Sequence, residues 1–438
     1  VSEGLSVLLD RRMALRLGVA AGLGAGLGAA LLPRLAWAVE QPVALPKVTA
    51  LVDRWVGTGK FPGMVASLGL PGREAQFVAR GAQGFDDGTA MGPDSLFRIY
   101  SMTKPVTGMM AMQLIEEGRL ALDQPLADVL PAWRDMRVQD RYDGPLDRLH
   151  AAPRPITMRH LLTHTSGIGY SIVQTGPIRD AYVKQGLVPG QVSRIEVPGL
   201  TYGAPIHGLD HFADRLATLP LVADPGTRWS YSMGLDVMGR VIEVVTGKRF
   251  DAYLAEALFG PAGMTSTEFR VGPGDVRRLT TNYGALGGVL VPIDPPESSV
   301  YLDPPAFPFG GSGLVSSPRD YDRFLRLLAQ GGMIDGRRVL SERAVALGTS
   351  DLLPPGVDRS HMIAGPSGFG AGGRVGQGAE AGIFGWSGAA GTVGMVDMTH
   401  GLRSQLFVQF MPSDALPLLP EFQTALKADV MALMETRP

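Results

Sequence analysis

One stretch constrains this chain more than any other: an extended run that becomes an apolar helix at a serine. Ser95-Leu96-Phe97-Arg98-Ile99 reads as a short strand, and Tyr100-Ser101-Met102-Thr103-Lys104 follows it. Val106, Met109, Met110, Leu114 and Ile115 then recur at helical spacing, and Gly118 stops the helix. Ser101 sits at the switch. Lys104 follows one helical turn later, on the same face. Pro105 is tolerated there because backbone N–H groups in a first turn have no intrahelical partner.

The pattern suits nucleophilic catalysis. A serine hydroxyl needs a proton acceptor within hydrogen-bond reach. A lysine desolvated by an apolar helix can join the proton relay. The start of a helix offers positive potential to a developing oxyanion. S-x-x-K alone fits equally well an N-cap serine beside a solvated lysine.

The chain has 438 residues, 58 of them Gly and 34 Pro, so it is loop-rich and long enough for two or three domains or one composite one. A formal net charge of -2 argues against nucleic acid as a partner. No cysteine is present, which removes disulfides, thiolate chemistry and cysteine-type zinc sites. Near the start, Arg11-Arg12 precede an uncharged apolar run from Leu17 to Leu32, then Ala36-Trp37-Ala38. Residues 1–38 therefore read as a cleaved, twin-arginine-like export signal, with a periplasmic or secreted mature protein starting near Val39. The run is short for a membrane span, so no stable membrane insertion of the mature protein is expected.

Val48, Leu51, Val52 and Trp55 predict an amphipathic helix over 46–57. Met64 to Leu70 and Glu74 to Ala79 predict a hairpin around Pro71-Gly72. Residues 156–167 predict a short helix capped by Thr157 and stopped by Gly167. Its His160 and His164 lack a third ligand, so they read as structural and no metal is expected. Residues 168–212 show little periodicity and read as a long loop, either a lid or an insertion. Tyr231 precedes a helix over 233–246 closed by Gly247. Gly310 to Ser317 leads into a helix with Pro318 in its first turn and Tyr321, Phe324, Leu325 and Leu328 as its apolar stripe. These glycines lack the Walker lysine and read as tight packing, with no cofactor implied. Thr392 to Asp397 and Gln405 to Met411 read as paired strands, and Leu416 to Met434 as a closing helix. Gly385-Trp386-Ser387-Gly388-Ala389 imitates a nucleophile elbow, but a strand rather than a helix follows, so Ser387 reads as a decoy.

Three blocks in order, Ser101-Met102-Thr103-Lys104, Tyr231-Ser232-Met233 and Trp386-Ser387-Gly388, frame the runs His160 to Gly167 and Gly310 to Ser317. The chain thereby resembles the serine β-lactamase and penicillin-binding protein superfamily over roughly residues 45–435. It is most similar to the class C β-lactamase-like, or family VIII, carboxylesterases. The resemblance implies an α/β (α+β) fold, an antiparallel sheet flanked by helices with a mainly helical insertion. Residues 39–110 and 300–438 would form the sheet domain and 111–299 the helical one.

By the same resemblance, Ser101 would be acylated, with Lys104 and Tyr231 as its proton-transfer pair. The backbone N–H groups of Ser101 and Ala389 would form the oxyanion hole. Met233, Trp386, Ser387 and Gly388 would bind substrate. Met233 stands where β-lactamases usually have asparagine, and Trp386 where they usually have lysine. Both exchanges favour a small uncharged ester as partner over a β-lactam. The competing readings are a β-lactamase or D-amino-acid peptidase on the same machinery, and a catalytically silent binding protein of the same fold.

Overall fold

A computed structural model describes residues 43–286, 288–363, 365 and 367–435; the export-signal reading lies outside them. Eight strands form the main sheet: β1 (Gly63–Gly69), β2 (Gln76–Gly84), β3 (Asp87–Ala90), β4 (Gly368–Phe369), β5 (Arg374–Val375), β6 (Ile383–Ser387), β7 (Val393–Asp397) and β8 (Leu402–Phe407). Their order is β4-β5-β6-β7-β8-β1-β2-β3, and every neighbouring pair is antiparallel. β1 and β2 form the expected hairpin, with Met64 opposite Arg80. β1 also pairs with β8, Val65 opposite Phe407.

Every residue of β1 is buried, because both faces of the sheet are covered. Met64, Ala66 and Leu68 join an apolar cluster with helix α1 (Pro46–Gly57) and the closing helix Leu418–Glu435. Val65 points into the larger core instead. α1 begins without a side-chain cap of its own. Its exposed donors find a partner far along the chain, since the N–H groups of Lys47 and Val48 each donate to buried Asp429 at 2.9 Å.

α2 (Thr103–Glu116) is buried all round from Thr103 to Met112, the mark of a helix inside a core. α3 (Gly234–Thr246) ends at a left-handed Gly247, as the sequence predicts. α4 (Pro318–Ala329) buries Tyr321, Phe324, Leu325 and Leu328 against β7 and β8. No described helix is long and apolar enough to cross a membrane.

Three expectations need correction. The helix capped by Thr157 spans only Met158–Leu162. Thr163 Oγ1 donates back to Arg159 O at 2.8 Å, and His164 turns left-handed at φ 57°, so the helix ends before Gly167. The supposed loop 168–212 contains a helix, Pro177–Lys184, whose buried Ile178 and Tyr182 are too few to make a visible period. Asn282–Leu286 and Val289–Asp294 form a hairpin, extended by Phe410–Met411, that the sequence reading did not assign.

Candidate active site

Ser101 lies in a single 3-10 turn, Tyr100–Met102, between the strand Phe97–Arg98 and α2. Buried groups fix the approach to it. Arg98 pairs with Asp294 at 2.6 Å, both side chains out of solvent, and also donates to Asp294 O at 2.9 Å and Ser299 Oγ at 3.0 Å. Tyr100 takes φ 41°, a costly conformation for a side-chain-bearing residue. It is held by Asn282 Nδ2, which donates to its hydroxyl at 3.1 Å.

Lys104 is fully buried. Its Nζ donates to Ser101 Oγ at 3.1 Å and to Gly311 O at 2.7 Å. The same Nζ lies 4.5 Å from the ring centre of Tyr231 and 5.5 Å from that of Tyr170, within reach of both π faces. Tyr231 Oη lies 2.8 Å from Ser101 Oγ. The serine hydroxyl thus meets both groups at once, one from its own helix and one from 130 residues away.

His164 holds the Tyr231 segment. Its Nδ1 lies 2.9 Å from Ser232 Oγ and accepts from Ser232 N–H at 3.2 Å, while its carbonyl accepts from Ser230 N–H at 2.9 Å. The imidazole packs 4.7 Å from the Tyr231 ring. Burial, reinforced by the charge of Lys104, keeps His164 well below the ordinary histidine range, hence neutral. No acidic or histidine cluster among the described residues could hold a metal ion.

Trp386 is buried at the end of β6, and its Nε1 donates to Tyr231 Oη at 3.1 Å. The sequence reading gives Trp386 as a substrate-binding residue; it is also a hydrogen-bond donor to the site. Met233 is completely buried as the N-cap residue of α3, beneath the site rather than on its surface. Ser387 closes β6 opposite Val393, with a turn and another strand after it, so no elbow forms. A Cβ on Gly388 would stand 2.4 Å from Ile99 O. Only glycine lets the turn carrying Ala389 approach the segment entering Ser101 so closely.

Sequence reasoning missed Asp236, Gly311 and Tyr170. Asp236 lies buried in the first turn of α3, where its carboxylate accepts from Gly311 N–H at 2.9 Å. Burial pushes its pKa up to about 6, against the opposing effects of Lys104 and that N–H. The visible signal is a carboxylate in the first turn of the helix among Leu235, Val237 and Met238, apart from the Arg240–Glu243 pair further along.

The family model described as “Beta-lactamase” matches residues 48–422. The chain belongs to the beta-lactamase family. It is a serine hydrolase. An uncharacterized protein of Mycobacterium tuberculosis is 37% identical over 372 residues, 81% of this chain and 87% of that one. Esterase EstB of Burkholderia gladioli is 29% identical over 316 residues, 67% of this chain and 72% of the relative. Among solved structures, EstCE1, a hydrolase with promiscuous acyltransferase activity, superposes with a TM-score of 0.70 at 25% identity, covering 87% of this chain and 97% of that one. The β-lactamase/transpeptidase-like fold implied by the sequence motifs is the fold observed.

Proposed function

We propose that this beta-lactamase-family hydrolase is an exported carboxylesterase that cleaves small uncharged esters through an acyl-enzyme on Ser101. The observation that carries the reading is the convergence of Lys104 Nζ and Tyr231 Oη on Ser101 Oγ. Ser101 attacks the ester carbonyl as its proton passes to the Lys104–Tyr231 pair. The pair returns the proton to the departing alkoxide, and water then repeats the sequence on the acyl-enzyme. The N–H groups of Ser101 and Ala389 receive the oxyanion, each worth roughly 3–4 kcal/mol of barrier.

Substrate class follows from the two exchanged motif positions. The buried Met233 replaces the asparagine that would contact a β-lactam's amide side chain, and Trp386 replaces the lysine that would pair a β-lactam carboxylate. Burying that anion unpaired costs free energy. The name of the Burkholderia relative, an esterase, supports the same class. Acyl transfer is a second outcome of the same intermediate, favoured by the promiscuous acyltransferase activity of EstCE1.

The test is a fluorophosphonate probe followed by intact-mass and peptide mapping, alongside p-nitrophenyl esters and a chromogenic cephalosporin. One adduct, on Ser101, and a kcat/KM for the butyrate ester above that for the cephalosporin are expected. An adduct on Ser387, or a ratio below one, overturns the reading.

A further inference from the structure

Lys104 and Asp236 are both buried, and they do not meet directly. Gly311 stands between them. Its carbonyl accepts from Lys104 Nζ at 2.7 Å, and its N–H donates to Asp236 Oδ1 at 2.9 Å. A Cβ at Gly311 would lie 2.8 Å from Asp236 Oδ2, so the spacing needs glycine. Thr107 Oγ1 donates to Gly310 O at 2.7 Å, and Leu314 N–H donates to Thr103 Oγ1 at 3.1 Å, which ties the glycine run to α2 on either side. The link is therefore rigid.

The other titratable groups around this pair are His164, Tyr170 and Tyr231. His164 is neutral, and burial raises Tyr170 well above the ordinary phenol range. Asp236 is then the group that supplies negative charge facing Lys104 from α3. A buried cation without a counter-charge is disfavoured.

We propose that Asp236 is a positioning residue that keeps the shared proton of the Lys104–Tyr231 pair on Lys104, leaving Tyr231 Oη to accept the Ser101 proton. In acylation the Ser101 O–H bond breaks, an Oη–H bond forms on the tyrosinate, and Oγ bonds to the acyl carbon. Tyr231 then gives that proton to the alkoxide as the ester C–O bond breaks. Lys104 stays an ammonium and Asp236 a carboxylate throughout. Once Asp236 is protonated, the counter-charge is gone and the shared proton returns to Tyr231.

This inference rests on the esterase reading and is tested on the pH profile of kcat/KM for p-nitrophenyl butyrate. Wild type should lose activity as pH falls through about 6, where Asp236 takes up a proton. Asp236→Asn keeps an acceptor for Gly311 N–H but carries no charge. It should lack that acidic limb and show a plateau about tenfold lower, the scale of one pK unit of bias. In the Asp236→Asn background, Tyr231→Phe should cost less than in wild type, because Lys104 has become the acceptor. An unchanged limb together with an unchanged cost of Tyr231→Phe overturns the proposal.

Infrared titration covers the case in which Asp236→Asn does not fold. The carbonyl band of the buried protonated carboxyl should persist to higher pH in Lys104→Met than in wild type, and persistence to the same pH overturns the proposal. Because this measurement uses no substrate, it is independent of the esterase reading. That reading fails separately if wild type gives no Ser101 adduct.

Discussion

Trp386 Nε1 donates to Tyr231 Oη, the same oxygen that lies 2.8 Å from Ser101 Oγ. The tryptophan is thus tied into the proton-transfer chain through the tyrosine oxygen. A hydrogen bond to a charged oxygen is stronger than one to a neutral phenol, so the indole N–H favours the tyrosinate that accepts the Ser101 proton. Trp386→Phe keeps an aromatic ring and removes the N–H. It should lower kcat for p-nitrophenyl butyrate about tenfold, with the melting temperature nearly unchanged. Stopped-flow acylation and calorimetry separate the two effects, and unaltered acylation would show that the bond serves packing alone.

Ser101→Ala should abolish ester turnover and leave the fold intact. Lys104→Ala and Tyr231→Phe should each cost several orders of magnitude, and the double variant little more than either alone, because groups acting as a unit are not additive. Steady-state kinetics on the four proteins checks this. Independent, additive losses would mean two separate roles.

Buried histidines make stability depend on pH with a definite sign. Burial lowers His160 to about 4, and Thr157 N–H donates to its Nδ1 at 3.2 Å, a bond that needs the neutral ring. Burial, with the charge of Lys104, also holds His164 well below the ordinary histidine range. Their contribution is fully present above the unfolded histidine value of about 6.5. It is lost as pH falls through the folded values. His160 alone accounts for on the order of 3 kcal/mol. Urea unfolding at pH 7.5 and 4.5 should show the loss, and His160→Gln should shrink it.

Arg98 and Asp294 form a buried pair two residues before Tyr100. Removing one partner strands a buried charge. Asp294→Ala should cost about 3–5 kcal/mol of stability, read as a lower denaturation midpoint. Arg98→Met with Asp294→Leu should recover only part of that loss, since no charge is stranded but the Asp294 carbonyl, Ser299 Oγ and Val300 N–H lose their partners.

Export is tested on the segment outside the described residues. With both Arg11 and Arg12 replaced by lysine, precursor should accumulate in the cytoplasm if the twin-arginine reading holds. Cell fractionation decides it, and normal export would mean a different kind of signal.

How much of this was legible follows from how far each contact reaches. Lys104 is three residues from Ser101, and a helix turn fixes their relation, so local spacing suffices. The same holds for α1 and α4, whose apolar stripes are regular. Tyr231 comes from 130 residues away, and only motif resemblance pointed to it. Asp236 hides because a carboxylate in a helix's first turn is ordinary on dipole grounds. The indole bond of Trp386 depends on how β6 sits against Tyr231, which no local pattern encodes. The helix Pro177–Lys184 buries only Ile178 and Tyr182, too little for periodicity to register.

β1 lies inside the sheet between β2 and β8, and its register runs from Val65 opposite Phe407 to Gly69 opposite Arg403. A ribosome makes β1 more than 300 residues before β8. Over that interval β1 has an open edge, a template for pairing with other chains. Closing it brings together segments more than 300 residues apart, a connection that is slow to form. Order of synthesis and order of assembly are opposed in this protein. The nascent chain depends on whatever shields β1 until residues 402–407 arrive, and a chain truncated before β8 would leave that edge without its partner.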